Sequence, residues 1–318
     1  MKAQEIYKLA VELGVKNDLR PKSDIQKILK RTKEKYDKLD AKKKAEFDEE
    51  RLWNPYSDSR VYFDSGKKVK KIITGIDIGT GEVMLADRLG DVDLILGHHP
   101  FGKGLSNLDE VMHMQADILS QYGIPINIAE SVMKPRIGEI SRAVNPANVN
   151  QSIDAARLLG ISIMNVHTPA DNMVVSFLKK KIDAKKFDYV GEIVEFLKDI
   201  PEYKQAIEYG QGPTLFTGHD DNRCGKIALT EITGGTDGSA KMYKYLSQAG
   251  IGTIISMHQS EEHKKEAEKA HINIIIAGHI SSDNIGMNLL LDEIEKKGIE
   301  IVSCSGITRI RRFRKFGR

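Results

Sequence analysis

Imidazole and carboxylate side chains occur at four places in the sequence, each beginning directly after an apolar run that predicts a buried strand. These residues are His98 and His99, His167 and Asp171, His258, and His279 and Asp283. In open α/β sheets, ligands bind outside the carboxyl ends of the strands. Neutral imidazoles and carboxylates are ligands of transition metals. The pattern therefore predicts that these side chains, although distant in the chain, meet around metal ions.

The first two places leave other interpretations open. Neighbouring residues of a strand point to opposite faces, so His98 and His99 can converge only if the chain has left the strand. The flanking Gly97 and Pro100 indicate that it has. A pair of hydrogen-bonded turn histidines remains an alternative. Asp171 could bridge two cations about 3.5–4 Å apart, or it could cap the next helix.

The last two places also allow more than one interpretation. His279 and Asp283 are four residues apart, a spacing that puts two side chains on one face of a helix, where they could converge on one ion. Asp283 and the two serines before it are also good N-terminal helix residues, so a capping role is the alternative. His258 follows the run GTIISM, whereas His263 is expected on a solvated helix.

Strands alternate with helices from Lys70 onward, which predicts mostly parallel sheets covered on both faces. A helix is predicted over residues 109–122 and a strand over residues 125–129, and the run IEIVSCS is predicted to be the last strand of a second lobe. The fold class is therefore α/β. The expected parts are an extra N-terminal helical segment with a linker (1–66), a first α/β lobe (67–172), a helical middle segment (173–225) and a second α/β lobe with a basic tail (226–318).

Length and composition exclude several classes of protein. The chain has 318 residues, enough for two domains of roughly 150 residues, and 40% of them are hydrophobic, enough for a substantial core. Its two cysteines cannot form a disulfide framework, and they are too far apart in sequence to form a metal clip. No apolar run approaches the roughly 18 residues of a membrane span. A soluble, cytoplasmic protein with no membrane contact is expected.

The net charge of +3 is too small to indicate nucleic-acid binding by itself. The tail RIRRFRKFGR is basic and carries Phe313 and Phe316. It could contact an anionic surface, but a short terminus is more often frayed or packed. Nucleic-acid binding is therefore a minor alternative, which would require salt-sensitive binding that disappears on deletion of residues 309–318.

Three motifs, taken in this order, resemble the Nif-three-like proteins (NGG-one-interacting factor three). They are HHP followed by GKG, H-T-x-x-D after a strand, and G-H-x-x-S-D near the C-terminus. The resemblance covers about Lys70 to Ile310. It implies a two-lobed α/β fold with a dinuclear metal centre in the cleft between the lobes. It also implies a homo-oligomer, often a toroidal hexamer, and some bacterial relatives are labelled GTP cyclohydrolase 1 type 2 homologues.

The resemblance implies five metal ligands in this chain, namely His98, His99, Asp171, His279 and Asp283. Asp171 matches the family's bridging aspartate, and Asp283 stands where the family has a glutamate that is one methylene longer. His258 replaces a frequent family acid and could be a new ligand, a proton relay or neither. His167 fits a position beside the ligands, or facing a substrate, better than a ligand position.

These expectations lead to a metal-dependent hydrolase as the first hypothesis. Two divalent ions of zinc, iron, manganese or cobalt would lower the pKa of a bound water and polarise a substrate oxygen. His258 or His167 would act as general base or acid, and Lys103 could neutralise a phosphate. The substrate would be a nucleotide or another phosphate-ester-like small molecule. A non-catalytic metal-binding or interaction protein, such as a metal chaperone or a ring scaffold, is the alternative.

Overall fold

The computed structural model describes residues 1–313, which form two β-sheets packed with helices. The strands are β1 (Arg60–Phe63), β2 (Lys71–Gly75), β3 (Leu94–Gly97), β4 (Ser162–Asn165), β5 (Thr214–Thr217), β6 (Lys226–Leu229), β7 (Ile251–Ser256), β8 (Asn273–Ile276) and β9 (Glu300–Ser303). The first sheet has the order β1-β4-β3-β2-β9, and the second has the order β5-β8-β7-β6. Only β1 and β5, each at an edge, run antiparallel to their neighbours. The predicted α/β class with mostly parallel sheets is confirmed.

Helices connect the parallel strands and cover both sheets. The N-terminal helices are α1 (Ala3–Asn17), α2 (Lys22–Asp37) and α3 (Ala41–Glu46), followed by a 3-10 turn at Glu49–Leu52. The helices up to the middle of the chain are α4 (Thr80–Leu89), α5 (Gly102–Ser106), α6 (Leu108–Val111), α7 (His113–Gln121), α8 (Ile126–Val144), α9 (Gln151–Leu159) and α10 (Thr168–Asp183). The remaining helices are α11 (Val190–Lys198), α12 (Pro201–Ile207), α13 (Met242–Gln248), α14 (Glu261–Lys269) and α15 (His279–Glu295).

The central strands of the first sheet are mostly apolar because both of their faces are covered. On one face, Ile73 and Ile95 pack in a cluster with residues of α4 and α9. On the other face, Ile72 and Leu94 pack with residues of α1, α10 and α15. Helices α10 and α15 contribute to the core of the second sheet as well. These two helices pack against each other and therefore lie between the two sheets, each starting just after the carboxyl end of a strand.

The last strand joins a different sheet from the one that the sequence indicates. Strand β9 pairs with β2 in the first sheet, with Lys71 opposite Glu300, although its place in the chain puts it after the strands of the second sheet. The alternation of strands and helices does not reveal this, because a strand that follows a helix can pair with a parallel strand at the open edge of either sheet. Residues 300–303 therefore complete the first sheet.

The strand predicted over residues 125–129 is wrong, because these residues form the beginning of helix α8. Pro125 occupies the N-cap position, which suits proline because no helical hydrogen bond needs its missing N–H. The buried residues Ala129, Met133 and Ile137 follow at steps of four, which is a helical period. The short apolar run over residues 125–129 does not by itself show this helical period.

The N-terminal segment packs on the first sheet through helix α1 and strand β1. Helix α1 lies against α10, with Ile6, Tyr7 and Ala10 fully buried. The stretch expected to be a linker contains strand β1, which pairs with β4. Gly14 lets the two helices approach closely, since a Cβ atom there would lie 2.7 Å from the Cα of Pro169.

The described part of the basic tail is packed through ion pairs. Arg309 pairs with Asp292 and Glu295, and Arg312 pairs with Glu202 at 2.6 Å. Residues 314–318, including Phe316, lie outside the described residues. Within residues 1–313, no helix combines the length and the apolar character that a membrane crossing needs.

Candidate metal centre

The fold brings the carboxyl ends of three strands to one place. His98 and His99 directly follow β3, and His167 caps the start of α10 after β4. His279 is the first residue of α15 after β8, and Asp283 lies one turn further along the same helix. Parallel strands end at the same edge of a sheet, and α10 and α15 pack side by side, so these residues from the two sheets come together.

The five predicted ligands lie within a few ångströms of one another. His98 Nε2 is 3.4 Å from both Asp171 Oδ1 and Asp283 Oδ1. The second oxygen of Asp283 is 3.3 Å from His99 Nε2 and 3.7 Å from His279 Nε2. Ligand atoms held about 2.1 Å from a tetrahedral ion are about 3.4 Å apart. The spacing is therefore that of atoms which could share an ion.

Three atoms of this cluster are buried without a hydrogen-bond partner among the described residues. They are His98 Nε2, Asp171 Oδ1 and Asp283 Oδ2. An unsatisfied buried polar atom costs about 1–3 kcal/mol, more if it is charged, so native proteins contain few of them. A divalent cation would satisfy all three at once. The donor set of imidazole nitrogens and carboxylate oxygens thus fits a transition metal such as zinc, iron, manganese or cobalt.

Hydrogen bonds fix which nitrogen of each ring faces the cluster. His98 Nδ1 is 3.0 Å from the carbonyl oxygen of Val166, and His99 Nδ1 is 2.8 Å from Asp77 Oδ1. Both oxygens can only accept, so each Nδ1 carries the proton and donates it. The lone pair is left on Nε2, the atom that points toward the carboxylates. Such outer partners orient metal-binding histidines in known sites.

The electrostatics of the cluster are those of an ion pair. Burial raises the pKa of the Asp283 carboxyl, but His98, His99 and His279 lower it more, and the net pKa is well below its usual range. Burial lowers the pKa of His98, while Asp283 and Asp171 raise it more, so its net pKa lies well above the usual value. A divalent cation would compete with this proton for the same lone pair.

Groups of three ligand atoms within 4.8 Å of one another mark where an ion could be held. The groups are His98, His99 and His167; His99, His279 and Asp283; and His98, Asp171 and Asp283. The sequence pattern placed His167 beside the ligands, but here it belongs to one of the groups. Its Nε2 lies 3.8 Å from Asp171 Oδ2, and its Nδ1 lies 2.8 Å from Asp58 Oδ2.

His258 lies at the edge of the cluster and belongs to none of these groups. Its ring centroid is 5.2 Å from that of His279, and the side chain is half-buried. Burial lowers the pKa of His279, as do the neighbouring His258 and His99, and this outweighs the opposite effect of Asp283. His279 therefore loses its proton more readily than an ordinary histidine does, and the neutral imidazole is the form that binds metals. Lys103 forms an ion pair with Asp48 at 3.2 Å.

Two carboxylates that contact the histidines were missed in the sequence. Asp77 follows strand β2 in the run KKIITGIDI, so the rule that located the histidines could have found it. Asp58 lies in a turn-rich stretch that was expected to be a linker, and no local signal distinguishes it. His263, expected on a solvated helix face, is buried, with its Nε2 3.3 Å from Glu231 Oε1.

Comparison with known proteins supports the sequence resemblance. A NIF3 superfamily protein from Sphaerobacter thermophilus is similar to this chain with a TM-score of 0.71 and 28% identity, over 79% of this chain and 92% of that one. Reduced HcgD from Methanocaldococcus jannaschii matches with a TM-score of 0.44 and 17% identity, over 74% of this chain and 84% of that one. A Bacillus cereus protein related to NIF3 matches with a TM-score of 0.40 and 13% identity, over 78% and 90%.

No protein-family model and no curated protein matches the chain. The likeness to the Sphaerobacter protein extends over nearly all of that protein, and the three motifs lie together at one end of the two sheets. Fold and motifs define an α/β protein with a histidine and aspartate cluster that could hold a metal ion. In fold and in these motifs the chain is similar to the Nif-three-like (NIF3) proteins.

Proposed function

We propose that this protein is a dinuclear metal-dependent hydrolase whose ions lie in the cleft between the two lobes. His98, His99, Asp171, His279 and Asp283 would hold the ions. The observation that carries the proposal is the set of three buried atoms without partners, His98 Nε2, Asp171 Oδ1 and Asp283 Oδ2, which face one another in a single cluster.

The arrangement of Asp283 supports two ions rather than one. One of its oxygens faces His98 and the other faces His99 and His279, so it would be shared between two sites. Asp171, the bridging residue by family resemblance, has one oxygen 3.4 Å from His98 and the other 3.8 Å from His167. Either carboxylate could therefore join two sites.

The bound ions would supply Lewis acidity, lowering the pKa of a water toward neutrality and polarising a substrate oxygen. The protein's own groups would orient the histidine rings and transfer protons. Asp77 and the Val166 carbonyl orient the rings of His99 and His98. His258 lies beside His279 and would accept or donate a proton at the edge of the site, with His167 as the second candidate.

Solvent access favours catalysis over storage. The side chains of His98 and Asp283 are fully buried, whereas that of His279 is 43% exposed and that of His99 is 24% exposed. A metal site used only for structure is closed by protein ligands, while a catalytic site keeps an open position. A nucleotide or another phosphate ester is the proposed substrate class. Lys103, which could neutralise a phosphate of such a substrate, pairs with Asp48 at 3.2 Å.

Elemental analysis tests the metal centre. Protein purified without added metal should carry about two divalent ions per chain, and Asp171→Ala should lose most of them. Asp154→Ala is the matched control, since Asp154 is exposed and paired with Arg157 on helix α9. A wild-type chain that holds no ion after incubation with Zn²⁺, Mn²⁺, Fe²⁺ or Co²⁺ would rule the proposal out.

Turnover of nucleotides and phosphate esters in the presence of Mn²⁺ and Zn²⁺ tests the reaction. His258→Gln should lower kcat by about 10²–10⁴-fold with metal content unchanged, the usual contribution of a general acid or base. Metal binding with no turnover across the panel would instead favour a metal chaperone or a ring scaffold. The expected homo-oligomer, a hexamer by resemblance, is checked by mass photometry, and the cytoplasmic location is checked by cell fractionation.

A further inference from the structure

A buried carboxylate from outside the family motifs contacts the site. Asp58 precedes strand β1 and is 0% exposed. Its Oδ2 atom accepts hydrogen bonds from His167 Nδ1 at 2.8 Å and from Thr168 Oγ1 at 2.6 Å. The partner residues are more than a hundred positions away in the sequence. A fully buried acid on an N-terminal segment needs a reason, because burying a carboxylate is costly unless it is well bonded.

This hydrogen bond determines the form of the His167 ring. The carboxylate can only accept, so Nδ1 of His167 carries the proton, and the lone pair is on Nε2. Nε2 faces Asp171 Oδ2 at 3.8 Å, and the ring centroid is 5.0 Å from that of His98. Asp58 thus does for His167 what Asp77 does for His99 and Val166 does for His98.

The position of Asp58 is set by the same contacts that hold the strand ends. Asn165, on β4, donates its side-chain amide to the backbone oxygens of Asp58 (2.8 Å) and His98 (3.2 Å). Ser59 accepts the backbone N–H of His167 at 2.9 Å. Gly104 leaves room for this stretch, since a Cβ there would lie 3.0 Å from the Asp58 oxygen.

We propose that Asp58 is a positioning residue that makes His167 a fourth imidazole ligand, beside His98, His99 and His279, rather than a proton-transferring group. The N-terminal segment then completes the metal centre and is not a separate appendage. The inference rests on the proposed metal centre and adds a ligand and its support to it. Loss of such an outer partner lowers metal affinity by about 10–100-fold in other metalloproteins.

Nitrogen-15 NMR of the wild-type protein, labelled at histidine, gives the first test. The His167 signals are assigned with His167→Gln, and the protein is first treated with a chelator. His167 should show a protonated Nδ1 and an unprotonated Nε2, and the Nε2 signal should shift on addition of Zn²⁺. If the signals of His98 and His99 shift and that of His167 does not, the inference about His167 is wrong but the proposed metal centre stands. If no histidine signal shifts, both the inference and the proposed metal centre are wrong.

Asp58→Asn gives the second test, with Asp64→Asn as the matched control. Asp64 lies in the same segment, and its Oδ1 accepts a hydrogen bond from the N–H of the nearby Gly66 at 2.8 Å. Competition with a chromophoric chelator should show Zn²⁺ affinity weakened by about 10–100-fold for Asp58→Asn and unchanged for Asp64→Asn. A folded Asp58→Asn protein with wild-type affinity would overturn the inference. If this variant does not fold, the wild-type NMR titration still decides the question.

Discussion

The two halves of the candidate metal centre differ in how firmly their imidazoles are held. On the first-sheet side, Nδ1 of His98, His99 and His167 each lies within 3.0 Å of an acceptor, so folding sets the ring orientations. On the second-sheet side, His279 is largely open to solvent and approaches Asp283 only to 3.7 Å. A site with one fixed side and one open side can hold its ions in place and still admit a substrate.

Asp283 is the exception on the second-sheet side, because it is buried and faces three of the histidines. Asp283→Asn removes the charge and should weaken Zn²⁺ binding by more than about 100-fold, beyond the usual effect of losing an outer partner. Chelator competition and elemental analysis measure this. If the variant kept two ions per chain, the first-sheet side alone would account for binding, and the comparison between the halves would lose its basis.

Gly14→Ala tests whether packing of the N-terminal segment keeps the first-sheet side rigid. The added Cβ would collide with Pro169, between His167 and Asp171. Such overpacking costs about 1–3 kcal/mol, so Tm should fall by several degrees, and Zn²⁺ affinity should fall by a few-fold. The control is Gly81→Ala in helix α4, where a Cβ meets nothing within 4 Å. An unchanged Tm for Gly14→Ala would show that the close approach of α1 is not needed.

Asp77→Asn compares two carboxylates on the first-sheet side, the exposed Asp77 and the buried Asp58. Asp77 holds His99 as Asp58 holds His167, but its side chain is 71% exposed. Water can replace an exposed acceptor, so we expect less than about a tenfold loss of Zn²⁺ affinity, smaller than for Asp58→Asn. Equal losses for the two variants would mean that burial does not determine how much these partners contribute.

The smallest effect on stability is expected for His263, which lies in the second lobe outside the histidine and aspartate cluster. Burial lowers its pKa, but Glu231 and Asp237 raise it more, so its net pKa is above the usual value near 6.5. Its proton is therefore held more tightly in the folded state than in the unfolded state. The resulting stabilisation is complete below about pH 6.5 and is lost as the pH rises through the folded-state pKa.

Thermal melts of the wild type and His263→Gln, in the presence of a chelator, measure this effect. The Tm advantage of the wild type should shrink by on the order of 2 °C between pH 6 and pH 9. Glu231→Gln should remove most of the pH dependence, because it removes the facing charge. If the Tm difference between the wild type and His263→Gln instead increased with pH, the imidazole of His263 would be buried in its neutral form.

That these histidines and aspartates lie close together could be predicted from the sequence, because the signals are local. Each predicted residue follows an apolar run within a few positions, and parallel strands bring such positions together at one edge of a sheet. Asp58 could not be predicted in this way. Its burial depends on contacts with His167 and Thr168 across more than a hundred residues, and its neighbours in sequence look like an ordinary turn.

The elements that were predicted wrongly also depend on information that a short stretch of sequence does not contain. A run of five residues cannot distinguish a strand from the first turn of helix α8, because the helical period appears only over Ala129, Met133 and Ile137. The pairing of β9 with β2 is a choice between two sheets, and the composition of residues 300–303 suits either of them. His263 was judged by its charged neighbours on α14, which do not show that its own side chain faces inward.

The return of strand β9 to the first sheet means that the first lobe is not one unbroken stretch of polypeptide. The chain leaves the first sheet through α10, builds the second sheet, and comes back through α15. A protease cut between α10 and α11 would therefore yield two pieces that each supply strands to the same sheet. Such pieces should co-elute under native conditions and separate only in denaturant, so a nicked preparation would still behave as one particle.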